Sequence, residues 1–354
     1  MQRILTQPDA MGGYYRQPSR MIWGVLASEP HDPIELQSSF ANSRCVVTGG
    51  AGFIGSNLTR RLLEYGAQVT VVDNFTTGRR EHLPGSAHLT IVEADVSRDD
   101  RLQTLVSNTD YVFHLAAQVG NVKSIAAPVD DATTNVVGTV RLLEACRGAG
   151  LKRVVYSSSS AIFGEADRLP IDEDHPLRPV SFYALSKLTG ERYVRLAADL
   201  LSVPTVCLRY FNVYGLPMEL NEYTGVISIF LRRLAEQQPL VIYGDGLQVR
   251  DFVYVDDVVQ ANLRAALSGR SGAVYNIGTG TGTTVRELAE ALMQLTARTA
   301  PVVPAARRSG EVLRSIADIS LARRELGFSP AYDLRQGLAR LLATQDVLLG
   351  AGDN

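Results

Sequence analysis

The sequence predicts an α/β fold: a parallel sheet with helices on both faces, followed by a smaller mixed α/β lobe nearer the C-terminus. Three observations carry this. The run Cys45-Val46-Val47-Thr48-Gly49-Gly50-Ala51-Gly52-Phe53-Ile54-Gly55 reads as a buried strand, a sharp turn and the start of a helix. Strand and helix patterns then alternate up to about residue 210, as repeated βα units do. Past that point short strands, polar loops and helices mix, and some strand-like pieces can return to the first sheet.

Residues 1–43 have no clear period and no motif, and read as an extension of uncertain order, either disordered or loosely packed or a structured arm. The regular pattern begins at Arg44. Gly49 can take the tight turn, Gly52 lets the backbone approach a diphosphate, and Gly55 lets the following helix lie close to the sheet. The N–H groups at that helix start, around Phe53 and Ile54, then face negative charge on a ligand. The helix Ser56 to Glu64 carries Leu58, Leu62 and Leu63 on one face and stops at Gly66.

A second strand, Val69 to Val72, ends in Asp73, with Asn74 beside it. A carboxylate there can accept both ribose hydroxyls of an adenosine and would repel a 2′-phosphate, so the expected cofactor is NAD, with NADP disfavoured. Strand Leu89 to Val92 runs to Asp95 and Val96, a carboxylate and a small apolar residue placed to meet the adenine. Strand Tyr111 to Leu115 ends in Ala116 and Ala117, small enough for close passage beside the cofactor; His114 reads as a core residue.

Asn135 to Ala149 reads as a helix and Arg153 to Tyr156 as a strand. Ser157-Ser158-Ser159-Ser160 then leave the carboxyl end of that strand, where open parallel sheets bind ligands. Tyr183 and Lys187 follow, four apart on a helix, so the phenol and the ammonium enter one cleft. A tyrosine with a pKa near 10 is a poor base at neutral pH. Lysine and a cationic nicotinamide beside Tyr183 are expected to lower that value.

In the second half, Thr205 to Arg209, Leu240 to Gly246, Arg250 to Val255 and Ala273 to Gly278 read as strands. Gly225 to Glu236, a stretch from Val285, and Leu334 to Leu342 read as helices. The expected division is a dinucleotide domain at 44–210 and a substrate lobe at 211–345, with parts of the latter returning to the large domain.

Composition narrows the function classes. The 354 residues are 45% hydrophobic and 20% charged with a formal net charge of -2, which offers no basic field for nucleic acid. No apolar run is long enough to cross a bilayer, and the absence of a secretion signal points to the cytoplasm. Three cysteines and five histidines lack metal-ligand spacing, so no metal is expected.

Eight motifs in order resemble the extended short-chain dehydrogenase/reductases, and among them the NAD-dependent nucleotide-sugar 4-epimerases of the UDP-glucose/UDP-N-acetylglucosamine type. They are TGGAGFIG (48–55), VVDNFTTG (71–78), HLAA (114–117), YSSSSAIFG (156–164), YALSK (183–187), RYFNVYG (209–215), GDGLQVRDFVYVDD (244–257) and RRSGE (307–311). The resemblance implies a Rossmann-like sheet and an isomerase that passes a UDP-hexose through a transient 4-keto form.

By the same resemblance Tyr183 is the catalytic tyrosine, Lys187 its partner and Ser159 the hydroxyl on the sugar O4, next to Ser160. Asn212, Arg250 and Arg308 meet the diphosphate, Tyr243 lies beside the uracil and Glu311 accepts from the nucleotide ribose. Ser315 falls where room beside the sugar C2 substituent is set, and its small side chain leaves space for an acetamido group.

Departures are informative. Related 4,6-dehydratases carry an Asp-Glu pair where this chain has Ser160 and Ala161, so dehydration is disfavoured. Uronate 4-epimerases have an arginine where Met218 stands. Phe163 replaces a usual tyrosine. The resemblance also implies a homodimer, formed by the helices containing Asn135 to Ala149 and Tyr183 to Leu200.

Overall fold

A computed structural model describes residues 34–217, 225–307 and 312–345. It opens with helix α1 (Ile34–Phe40), whose Phe40 is fully buried with its ring 5.2 Å from that of Tyr111. Residues 1–33 of the extension of uncertain order lie outside the described residues, and its last residues, from Ile34, pack as a structured arm. One apolar anchor suffices to dock a helix too short to show a period in sequence.

The βα pattern then runs β1 (Arg44–Thr48), α2 (Phe53–Glu64), β2 (Gln68–Asp73), β3 (Leu89–Glu93), α3 (Leu102–Val106) and β4 (Tyr111–His114). It continues through α4 (Asn121–Ala126), α5 (Pro128–Ala132), α6 (Gly138–Cys146), β5 (Arg153–Ser159), α7 (Phe182–Leu200) and β6 (Thr205–Tyr210). The rest comprises β7 (Asn212–Tyr214), α8 (Val226–Ala235), β8 (Leu240–Tyr243), β9 (Val249–Arg250), β10 (Phe252–Tyr254) and α9 (Val255–Ser268). After these come β11 (Ala273–Ile277), β12 (Thr283–Thr284), α10 (Val285–Thr296), β13 (Val302–Ala305), β14 (Arg314–Ser315), α11 (Ser320–Leu326) and α12 (Leu334–Gln345).

Seven strands form a parallel sheet in the order β11-β6-β5-β4-β1-β2-β3. The order reverses between β1 and β4, whose carboxyl ends meet at the pair Thr48 and His114. A crevice outside such a reversal is where ligands bind in sheets of this kind. The central strands are buried on both faces, which is why Cys45-Val46-Val47 and Val71-Val72 read as unbroken apolar runs. One apolar layer joins the sheet to α1, α2, α9 and α11, the opposite layer joins it to α3, α6 and α7, and a third core fills the lobe between α8, α10 and α12.

Several boundaries differ from the sequence reading. Helix α2 begins at Phe53, three residues early, and β5 carries on through three of the four serines to Ser159. The stretch read as a helix from Asn135 opens with a π-helical turn, Thr133–Val137, and ends at Cys146. Val255 was assigned to a strand but starts the 14-residue helix α9. Val255 follows Phe252-Val253-Tyr254 of β10 without a turn residue, so strand and helix merge in the sequence, and only Asp256 and Asp257 in the first turn mark a helix start.

Candidate active site

The site is built from the sheet outward. The chain leaves β1 through Gly49, whose φ of +69° is unfavourable for any side chain. A Cβ at Gly49 would lie 2.7 Å from the Ala116 backbone nitrogen, and one at Gly55 would collide with the Gly49 carbonyl oxygen. Turn, helix and the end of β4 are thus in direct backbone contact. The N-cap of α2 is Gly52 and no side chain caps it, which leaves the N–H groups around Phe53 and Ile54 for a ligand.

Asp73 closes β2 and is nearly buried. It accepts N–H bonds from Ala51 and Phe75, both 2.9 Å, and a Cβ at Gly78 would come within 2.8 Å of each carboxylate oxygen. The Asn74 amide donates to Asp95 at 3.1 Å. Burial would raise the Asp95 pKa, but the Ser97 hydroxyl and N–H, with Asn74, hold it below the ordinary value. Val96 is buried against Gly138. Leu115 and Ala116 donate N–H bonds to Thr48, to its carbonyl at 3.1 Å and its hydroxyl at 3.3 Å, and Ala117 follows. A glycine cradle without room for a Cβ, an open helix N-terminus and a strand-end carboxylate together fit a dinucleotide.

His114 lies beneath this crevice, buried between the Thr48 hydroxyl at Nδ1, 2.7 Å, and the Thr139 hydroxyl at Nε2, 3.0 Å. Thr139 gives its own proton to the Asn135 carbonyl, so Nε2–H donates to Thr139 and Nδ1 accepts from Thr48. Burial, aided by Lys187, depresses the His114 pKa to about 3. The residue is a neutral structural link.

On the other side of the crevice, the N-cap Ser181 accepts from the Ala184 N–H at 3.1 Å and starts α7. Tyr183 and Lys187 come one turn apart on its inner face. Lys187 is buried with Nζ 4.4 Å from the centre of the Tyr156 ring. Burial lowers its pKa to about 8, against the pull of Cys207, Asp131 and Glu191. Ser159 ends β5, where its hydroxyl accepts from the Ala161 N–H at 3.2 Å and caps the 3-10 turn Ser160–Phe163.

Burial raises the Tyr183 pKa, the Ser159 hydroxyl lowers it and the Asp131 carboxylate adds to the rise. The expected depression by Lys187 is therefore not delivered by the protein groups taken alone, because loss of hydration outweighs the favourable partners.

Ser159 pairs with Tyr210 across β5 and β6, and two residues later Asn212 opens β7. Its N–H donates to the Asp251 carbonyl at 2.9 Å. The buried Asp251 carboxylate accepts from the Thr279 N–H and hydroxyl and from the Gly280 and Ala317 N–H groups, at 2.7 to 3.1 Å. It ties β7, Arg250 and the chain after β14 into one cluster. Arg250 on β9 pairs with the buried Ser315 on β14 and donates to the Val249 carbonyl at 2.9 Å. Tyr243 ends β8 and its carbonyl accepts from the Gln248 amide at 3.0 Å. Arg308, Glu311 and Met218 lie outside the described residues.

The sequence reading missed the buried groups behind the site: Asp131, Asn135, Glu191, Arg209 and Asp251. One signal was present. Glu191 repeats the four-residue spacing of Tyr183 and Lys187 and so continues their helix face.

The chain matches the NAD dependent epimerase/dehydratase family over residues 45–278. It is 39% identical to the UDP-glucose 4-epimerase of Mycolicibacterium smegmatis, covering 84% of this chain and 96% of that protein. The structure resembles UDP-glucose 4-epimerase of Thermotoga maritima with UDP-glucose, at 37% identity and a TM-score of 0.83 over 87% of this chain and 100% of that one. It likewise resembles the Thermus thermophilus UDP-glucose 4-epimerase in complex with NAD, at 34% identity and a TM-score of 0.79 over 85% and 98%. The family match runs from β1 to the residue after β11, and so takes in the crevice at the strand reversal together with the tyrosine helix beside it. The chain belongs to the NAD dependent epimerase/dehydratase family.

Proposed function

We propose that this protein catalyses NAD-dependent 4-epimerisation of a UDP-hexose, interconverting UDP-glucose and UDP-galactose with space for the N-acetylated pair. The observation that carries the reading is the approach of Ser159, Tyr183 and Lys187 beside the crevice that the glycine turn and Asp73 line. Gly49, Gly52, Phe53, Ile54 and Gly55 would hold the cofactor diphosphate, Asp73 and Asn74 the adenosine ribose, Asp95 and Val96 the adenine, and Leu115 to Ala117 the inner half.

When bound, NAD supplies a reversible hydride acceptor for the sugar C4. Tyr183 takes the proton of the 4-hydroxyl and returns it, Ser159 orients that oxygen, and Lys187 supplies positive charge that favours the phenolate. Asn212, Arg250 and Arg308 would grip the diphosphate, with Tyr243 beside the uracil and Glu311 on its ribose. Guanidinium groups suit phosphate because they make paired, charge-assisted bonds. Holding the nucleotide firmly and the hexose lightly lets the sugar present either face. Ser315 leaves room beside C2, and Ser160 next to Ala161 offers no acid–base pair for removing water.

The molecule acts as a homodimer in this reading. Helix α7 exposes Phe182, Leu185, Tyr193, Leu196 and Leu200 along one side, and Val122, Ile125, Val129 and Val137 are exposed on α4, α5 and the π-helical turn. Its three cysteines are buried free thiols, which suits a reducing compartment such as the cytoplasm.

The test is incubation with neutral and acidic UDP-sugars without added NAD, the products being read by mass and NMR. A 4-inverted neutral sugar of unchanged mass is expected. Loss of water or carbon dioxide, net reduced cofactor, or turnover of uronates alone would overturn the reading.

A further inference from the structure

We propose that Asp131 is a positioning residue that sets the charge balance of the Tyr183 and Lys187 pair, acting through Asn135 and Ser186. The inference rests on the function just proposed for that pair. Its geometry starts at the π-helical turn Thr133–Val137, whose wider winding brings Asn135 into the interior. The Asn135 Oδ1 accepts from the Gln118 N–H at 2.8 Å. Its Nδ2 faces three oxygens at 3.0 to 3.1 Å: the Gln118 carbonyl, the Asp131 carboxylate and the Ser186 hydroxyl.

Ser186 sits on α7 between Tyr183 and Lys187 and donates to the Tyr183 carbonyl at 3.0 Å. One amide thus joins the buried carboxylate of α5 to the turn that carries both functional side chains. Asp131 itself is 1% exposed.

The other ionisable groups around the pair cancel or are neutral. His114 from β4 is held neutral near pH 7, and burial keeps Tyr156 of β5 and Cys207 of β6 protonated. Glu191 of α7 and Arg209 of β6 neutralise one another in a closed ion pair. Lys123 on α4 is exposed to solvent. Lys187 and Asp131 remain, a buried cation and a buried anion, and neither makes an ion pair within 4.0 Å among the described residues. Burial raises the Asp131 pKa, and the Ser186 hydroxyl and Lys187 oppose that rise. A carboxylate so placed stabilises the Lys187 ammonium and resists a phenolate on Tyr183, which it pushes the same way as burial does.

The decisive variant is Asp131→Asn, which keeps an acceptor for Asn135 and removes the charge. Ultraviolet titration of the phenolate, with Tyr183→Phe as the blank, is expected to show Tyr183 ionising about one pH unit lower. Both limbs of the turnover profile move to lower pH, because Tyr183 and Lys187 each lose a proton more readily. Asp131→Glu restores the wild-type positions. Asp131→Ser, a smaller uncharged replacement, moves the phenolate titration downward in the same way and keeps the question open to test if Asp131→Asn fails to fold.

A folded Asp131→Asn or Asp131→Ser protein whose Tyr183 titrates unchanged overturns the proposal. The titration needs no sugar. A wild-type enzyme that makes no isomer would defeat the epimerase reading while leaving this measurement intact.

Discussion

Glu191 and Arg209 face each other between α7 and β6 in a doubly hydrogen-bonded ion pair, Nη2 to Oε1 at 2.7 Å and Nε to Oε2 at 3.0 Å, with both side chains out of solvent. The Ser158 hydroxyl donates to the same carboxylate at 2.7 Å, and the guanidinium lies 5.0 Å from the centre of the Phe163 ring. The strand carrying Ser159 is thereby pinned to the helix carrying Tyr183. Glu191→Ala leaves a buried guanidinium unpaired and is expected to cost about 3–5 kcal/mol. Ser158→Ala removes one bond to a charged group and should cost about 1.5–3 kcal/mol. Denaturant unfolding of both variants checks the ranking, and equal losses would contradict it.

Gly55→Ala adds a single methyl group where the Gly49 carbonyl oxygen already stands. The helix must lift off the turn, so a loss of about 1–3 kcal/mol and weaker retention of the dinucleotide are expected. Thermal unfolding and the absorbance of NAD released on denaturation measure the two effects. Retention equal to wild type would show that the turn yields at no cost.

Removing the phenolic oxygen tests the chemistry. Tyr183→Phe should lower turnover by at least about 10²–10⁴-fold while leaving NAD bound, and Ser159→Ala should lower it less. Cofactor content measured beside product formation separates a lost proton carrier from a collapsed site.

His114 ties acid sensitivity to the core. The unfolded chain takes up a proton near the ordinary histidine value of 6.5, whereas the folded chain does so only near 3. Stability linked to this residue is full at neutral pH and falls as pH drops from about 6.5, with a slope of up to about 1.4 kcal/mol per unit. His114→Gln should flatten that part of the profile. Urea midpoints recorded between pH 7 and pH 4 decide the matter.

Exposed side chains along α7 make the proposed dimer testable. Leu196 is 53% exposed and Leu185 is 50% exposed, apolar side chains that the proposed subunit contact would cover. Wild type should sediment as a dimer, and the double variant Leu185→Glu with Leu196→Glu as a monomer. A wild-type monomer would remove the proposed bundle.

The glycine turn, Asp73 and the pair Tyr183 and Lys187 were legible because each depends on spacing within a short local element. Helix α9 was not, since its first residue, Val255, continues the apolar run Phe252-Val253-Tyr254 of β10 with no turn residue between strand and helix. Asp131, Asn135 and Asp251 escaped for another reason. Asn135 meets Ser186 and Asp251 meets Thr279 and Ala317, all distant in the chain, and Asp131 joins such a contact only through Asn135. A carboxylate or amide reads as solvated surface until the fold brings those partners to it. Even the direction of the Tyr183 shift depended on how deeply the packed chain buries it, which spacing alone does not convey.

Strand β11 bears on how the protein is made. It pairs with β6 from Ala273 to Ile277, although β6 ends at Tyr210 and the intervening residues build much of the lobe. During synthesis the edge of β6 therefore waits, open, until the ribosome has delivered more than fifty further residues. A nascent chain halted before Ala273 would present that edge to its neighbours, so the large half should not mature as an autonomous fragment.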